Sequence, residues 1–258
     1  MKKAIVTGAY GAIGKAIAKG IAAKGYDLYI LGRDKDALEK CREELIRETG
    51  SHHVSCLTAD LSLKQEVKSL ANNWSGPLHI LINNAATTPR SRMETVQGTE
   101  LQFATNVLGY FWMIRYFSDH MKGLDDARIV NVASYWAGDL NMNDLEFKAR
   151  SYHNDTAYRQ SKQANRMLTV AFAERLKAQG ISVLSAHPGD VRSKLSSNLG
   201  YGGWESPEEG AATPLFCATD TILKGITGKY FANKQEEHCA FSGDQSAIDK
   251  LYDICMQY

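Results

Sequence analysis

The sequence predicts an α/β fold in which one doubly wound parallel sheet carries helices on both faces. Short β-branched runs alternate with helical patterns along the chain, which calls for parallel strands joined by helical crossovers. Runs such as Ile80-Leu81-Ile82 and Ile129-Val130 are continuously apolar rather than alternating, as strands covered on both faces should be. A glycine-rich turn follows the first strand and opens directly into a helix, the arrangement that lets an open sheet present helix N-termini to a ligand.

Taken in order, residues 4–7 form the first strand, and the turn Thr7-Gly8-Ala9-Tyr10-Gly11-Ala12-Ile13-Gly14 leads into a helix whose Ile13, Ile17 and Ile21 recur at helical spacing before Gly25. Residues 28–31 form the second strand, and a charged helix over 36–49 is stopped by Gly50. The third strand is 53–57, followed by Ser62 and Gln65 in capping-box spacing. The fourth strand is 78–82. Residues 107–117 form a helix apolar nearly all round, which suits burial either in the core or in a subunit contact. The strand 128–132 comes next, then a helix from Tyr158 through Arg175 and a strand at 181–186. Ser206, Pro207 and Glu209 mark the start of a further helix. Two irregular segments, about residues 135–155 and 194–205, are long enough to be functional loops.

The 258 residues are read as one domain, 1–258, since no repeat or Pro-rich linker divides them. Thirty basic against twenty-nine acidic residues leave a formal charge of +1, which argues against nucleic acid as a partner. No secretory signal is expected, and the richest apolar stretch is too short to span a bilayer and contains Arg115, so no transmembrane anchor is expected and the location is read as cytoplasmic. Five widely spaced cysteines without a C-x-x-C pair fit reduced thiols, and no metal site is expected.

The chemistry is carried by a few clusters. Small residues in the turn after the first strand let backbone approach a pyrophosphate, and the helix N-terminus offers it free N–H groups. The second strand ends Gly32-Arg33, with no acid for a ribose 2′-hydroxyl and a guanidinium suited to a 2′-phosphate. Tyr158 and Lys162 stand four residues apart on a helix and so share a face. A free phenol titrates near pH ~10, and a fixed cation beside it favours the phenolate. Ser134 ends a buried strand at the edge where open sheets bind ligands, and Asn106 is an amide in an apolar helix that needs partners. Taken singly each has an ordinary explanation: a surface i,i+4 pair, a strand-end cap, a packing amide.

Together, and in this order, they resemble the short-chain dehydrogenase/reductase family over nearly the whole chain. Its T-G-x-x-x-G-x-G fingerprint is matched at Thr7, Gly8 and Gly14, with Ala12 in place of the middle glycine and Gly11 one position earlier. The resemblance implies a Rossmann-type fold and a cofactor site made by Gly8, Tyr10, Gly11, Ala12, Ile13, Gly14, Arg33, the pair Asp60 and Leu61, the turn Asn84, Ala85 and Ala86, the segment Pro188, Gly189, Val191 and Ser193, and Tyr158 and Lys162 themselves. It implies a catalytic set of Asn106, Ser134, Tyr158 and Lys162. Tyr158 would be the acid/base, Ser134 the group orienting the substrate oxygen, Lys162 the cation tuning Tyr158 and holding ribose, and Asn106 the residue placing the lysine through a water. His187 reads as a structural neighbour rather than a base. The sequence is most similar to the retinol-dehydrogenase-like branch, which includes WW-domain oxidoreductases.

The expected activity is NADP(H)-dependent interconversion of a carbonyl, an aldehyde or ketone of lipophilic character, and an alcohol, with NADP(H) favoured over NAD(H). Tyr135, Trp136, Tyr201 and Trp204 are candidates to line or cover an apolar pocket, or to be surface packing. The resemblance also implies a homodimer or homotetramer. Two rival readings are a cofactor-binding regulator or scaffold without turnover, against which the retained Tyr158 and Lys162 speak, and a light-dependent reductase of a tetrapyrrole double bond.

Overall fold

The computed structural model describes residues 1–258. Its strands are β1 (Lys3–Thr7), β2 (Asp27–Gly32), β3 (Val54–Thr58), β4 (Ile80–Asn83), β5 (Ala127–Val132), β6 (Ile181–Ala186), β7 (Tyr230–Ala232) and β8 (Gln235–Glu237), and its helices are α1 (Ala12–Ala23), α2 (Lys35–Thr49), α3 (Lys64–Asn72), α4 (Gly109–Phe117), α5 (Asn154–Leu176), α6 (Lys194–Asn198), α7 (Pro207–Thr219) and α8 (Gln245–Gln257). The strands form one sheet in the order β3-β2-β1-β4-β5-β6-β7-β8. All neighbours run parallel except the last pair, β7 and β8. The order reverses between β1 and β4, so the crossovers leave on opposite faces and a crevice opens beyond the C-terminal strand ends.

Two apolar cores follow, one on each face. One gathers Val107, Phe111, Ile114 and Phe117 with Leu168 and Phe172 of α5 and Leu251 of α8. The other packs Ile17 and Ile21 of α1 and Leu38 of α2 against Ala4, Val6 and Ile30 of the sheet. The apolar helix around residues 107–117 is therefore spent on the chain's own core: Phe111, Met113, Ile114 and Phe117 are completely buried.

Several local expectations shift. Ser62 does not cap α3: its amide and hydroxyl both engage Asp60 Oδ1, and Leu63 takes the cap position without a side-chain bond. Asp60, two residues earlier, outcompetes the capping box because its carboxylate closes a local turn. Ser206 and Glu209 do form the reciprocal box. The irregular segment at 194–205 contains α6, capped by Ser193. The strands β7 and β8, three residues each, are too short to show a period. No helix is long and apolar enough to cross a membrane.

Candidate active site

A cleft of about 600 Å³ runs over the C-terminal ends of β1, β2, β4 and β5. At its floor is the turn after β1. Gly8 has φ of +65°, and a Cβ there would lie 2.7 Å from the Cα of Ala85; one on Gly14 would lie 2.2 Å from the Gly8 carbonyl and 2.6 Å from Asn84 Nδ2. These two glycines are dictated by backbone crossing backbone. The Thr7 hydroxyl accepts from the amides of Asn84 (2.8 Å) and Ala85 (3.0 Å), and Asn84 Nδ2 donates to the Thr7 carbonyl (2.9 Å), so β1 and β4 are clipped together beneath the turn. Ala12 is the first residue of α1 and lies on the cleft wall, with Gly11, in an extended conformation, as the cap one residue earlier.

The amides of Ala12, Ile13 and Gly14 donate to no protein group, and the first turn of α1 contains no acid. A cradle emptied of side chains beneath free N–H groups fits a dinucleotide pyrophosphate. Toward the end of β2, Gly32 and Arg33 line the same cleft, and Arg33 is exposed with no hydrogen bond or ion pair to the protein. Its neighbour Asp34 is occupied elsewhere, accepting from the Ala37 amide at 3.0 Å as the cap of α2. Asp60 and Leu61 complete this end.

At the opposite end stand Tyr158 and Lys162. Both belong to the first turns of α5, and both are buried. Lys162 Nζ donates to the Val132 carbonyl at 2.8 Å and lies 5.6 Å from the centre of the Tyr158 ring. Burial drives the ammonium down to about 7. The Tyr158 phenol moves opposite to the expected direction, up to about 12, because burial outweighs a lowering contact with the Ser134 hydroxyl, while nearby Asp190 adds to the rise. The protein alone thus keeps Tyr158 protonated and leaves Lys162 easily discharged.

Ser134 accepts from the Trp136 amide at 3.1 Å, which aims its oxygen. Asn106 sits in a π-helical turn, Phe103–Leu108, a distortion often found at functional sites. Its side chain makes no hydrogen bond with Lys162. Oδ1 accepts from Thr87 N (2.8 Å), and Nδ2 faces the Thr87 carbonyl (3.0 Å) and Ser161 Oγ (3.3 Å), so the amide fastens the turn after β4 to the residue beside Lys162. Pro188 and Ser193 line the cleft, but Gly189 and Val191 do not. Gly189 (φ +88°) makes room for Glu205, whose carboxylate would touch any Cβ there; the buried Val191 keeps an amide with no protein acceptor.

Aromatic side chains gather near Tyr158. Trp136 and Tyr201, one from each irregular segment, stack with ring centres 4.0 Å apart, and Tyr201 is near enough to Tyr158 for their charges to couple. Tyr135 donates to Asp190 at 3.0 Å and packs edge-on against His187, whose imidazole burial holds down to about 4. Trp204 is 74% exposed and does not line the cleft. The segment before α5 is held by α5 itself: Arg159 pairs with Asp139 at 2.8 Å, Gln163 accepts from Leu140 N, and Gln160 bonds Leu145 O and Arg150.

The sequence did not single out Val132, whose carbonyl anchors Lys162, nor Thr87 and Lys194, and it marked Thr7 as part of the fingerprint without its role as the clip between β1 and β4. Thr87 and Lys194 directly flank matched motifs, and that adjacency was the available signal.

The family profile for short chain dehydrogenase matches residues 2–201. The chain belongs to that family. It is 32% identical to retinol dehydrogenase 11 of Mus musculus over 98% of this chain and 84% of that protein, and it falls in the retinol-dehydrogenase-like branch. Among solved structures, an uncharacterized protein from Mycobacterium paratuberculosis superimposes with a TM-score of 0.82 at 26% identity, covering 100% of this chain and 92% of its own. A Beutenbergia cavernae protein, named as an NAD(P)-dependent gluconate 5-dehydrogenase and solved with NADP at low occupancy, reaches 0.71 at 25% identity, covering 90% and 94%. The protein is therefore an oxidoreductase of the short-chain family.

Proposed function

We propose that the protein is an NADP(H)-dependent oxidoreductase interconverting a lipophilic aldehyde or ketone and the corresponding alcohol, with Tyr158 as the acid/base. The observation that carries this reading is a single cleft with an unpaired Arg33 at one end, a side-chain-free phosphate cradle in the middle and the buried Tyr158–Lys162 pair at the other. Gly8, Tyr10, Gly11, Ala12, Ile13, Gly14, Asp60, Leu61, Asn84, Ala85, Ala86, Pro188 and Ser193, which all face that cleft, would hold the dinucleotide. The hydride is the chemistry a nicotinamide supplies when bound.

Tyr158 donates its phenolic proton to the substrate oxygen in the reductive direction, and its high pKa keeps that proton available at neutral pH. Ser134 holds the same oxygen by hydrogen bonding. Lys162, when charged, lowers the energy of the phenolate left behind, and Asn106 acts through Thr87 and Ser161 to position the elements around it. Trp136 and Tyr201 shield the reacting atoms from water and offer an apolar wall, which favours a lipophilic substrate. The missing acid at position 32 and the free guanidinium of Arg33 support the NADP(H) preference. Five free cysteines, four of them buried, suit the reducing cytoplasm.

The test is NADPH consumption against a panel of aldehydes and ketones by wild type and Tyr158→Phe. Wild type should turn over apolar carbonyls, and the variant should bind NADPH yet lose activity by roughly 10²–10⁴-fold. NADPH binding without any Tyr158-dependent turnover would favour a scaffold.

A further inference from the structure

Gly32 has a physical explanation that cofactor recognition alone does not supply. Its φ lies outside the left-handed region, so its backbone does not require glycine. A Cβ at that position would, however, stand 2.4 Å from Cε1 and 3.1 Å from Cδ1 of Tyr10. The Tyr10 ring rests directly on the bare backbone of Gly32, 38% exposed, with its hydroxyl bonded to no protein group, and both residues line the cleft beside Arg33.

The end of the second strand is where a site reading a ribose 2′-hydroxyl places its carboxylate. Here the space such a carboxylate needs is filled from across the cleft. We propose that Tyr10 is a specificity-determining residue that acts through Gly32: its ring occupies the volume of an acidic side chain at position 32, so recognition of NAD(H) cannot be restored there while Tyr10 remains. Arg33 attracts the phosphate, and the Tyr10–Gly32 contact keeps out the group that would replace it. An acid introduced at 32 has to displace the ring from the strand before it can take that place. The inference rests on the NADP(H) reading above.

Dissociation constants for NADPH and NADH, measured by fluorescence titration on wild type, Tyr10→Ser, Gly32→Asp and the double variant, test this coupling, with circular dichroism to follow folding. Gly32→Asp alone should weaken NADPH by about tenfold or more without tightening NADH, and the double variant should bind NADH about tenfold tighter than Gly32→Asp does. The proposal is overturned if Gly32→Asp alone binds NADH as tightly as the double variant. If Gly32→Asp does not fold, recovery of folding in the double variant reports the same contact, and failure of both overturns it. Arg33→Ala, measured alongside, keeps the two ideas apart: an unchanged NADPH-to-NADH ratio there removes the NADP(H) reading, whereas additive effects of Tyr10→Ser and Gly32→Asp on NADH affinity remove only this one.

Discussion

Replacing Lys162 by methionine separates what this side chain does for the site from what it costs the fold. Burial takes its ammonium from 10.5 to about 7. The unfolded chain keeps that proton up to about pH 10.5 and the folded chain releases it near 7, so across this window the folded protein binds fewer protons and its stability rises with pH. At neutral pH a shift of that size corresponds to roughly 4 kcal/mol of destabilisation, at about 1.4 kcal/mol per pH unit. Methionine has similar volume and no charge, but it leaves the Val132 carbonyl only the 3.5 Å bond from Tyr110, a loss of about 1–2 kcal/mol. The net expectation is a gain of roughly 2–3 kcal/mol, or a Tm higher by about 5–10 °C for a chain of this size. Thermal melts of both proteins without cofactor should show the variant ahead at neutral pH and the gap closing toward about pH 10, while turnover is lost. A variant no more stable at neutral pH, or a gap that does not depend on pH, would refute the burial argument.

Arg33→Ala should weaken NADPH by roughly 10–100-fold, the worth of charged hydrogen bonds, and leave NADH nearly unchanged; calorimetric titration with both cofactors decides it, and equal losses would remove Arg33 from recognition. Gly14→Ala places a methyl 2.2 Å from the Gly8 carbonyl, so it should cost about 1–3 kcal/mol in denaturant unfolding and abolish dinucleotide binding. Native affinity in that variant would contradict the crossing described here. Trp136→Ala unstacks Tyr201 and should raise KM for small carbonyls several-fold while improving kcat/KM for bulkier ones, by about 1 kcal/mol or less of differential binding; a uniform loss across substrate sizes would count against a wall.

The sheet was legible because its strands are short, β-branched and covered on both faces, a pattern that few other folds share. Gly8, Gly14, Tyr158 and Lys162 were legible because their chemistry requires fixed spacing. What escaped notice lacked side-chain chemistry of its own. Val132 matters through a carbonyl that any residue would provide. Tyr201 stood out as an aromatic, but its approach to Tyr158 and Trp136 is a long-range contact between the segment after α6 and the segment before α5, without local period. The direction of the Tyr158 shift was also hidden, since spacing reveals a cation nearby but not how much water has been removed. Ser62 misled because two residues competed to close the same turn, and only the geometry ranks them.

The ties between α5 and the segment that precedes it have a consequence for how such enzymes diversify. Arg159, Gln160 and Gln163 alternate along the helix with Tyr158 and Lys162, so the machinery and the brackets of the neighbouring loop are written into one continuous stretch of sequence. Substrate range and reactivity are then not independent modules here. A loop grafted from a relative arrives without its brackets unless Arg159, Gln160 and Gln163 of α5 come with it, positions interspersed with the acid/base and its lysine.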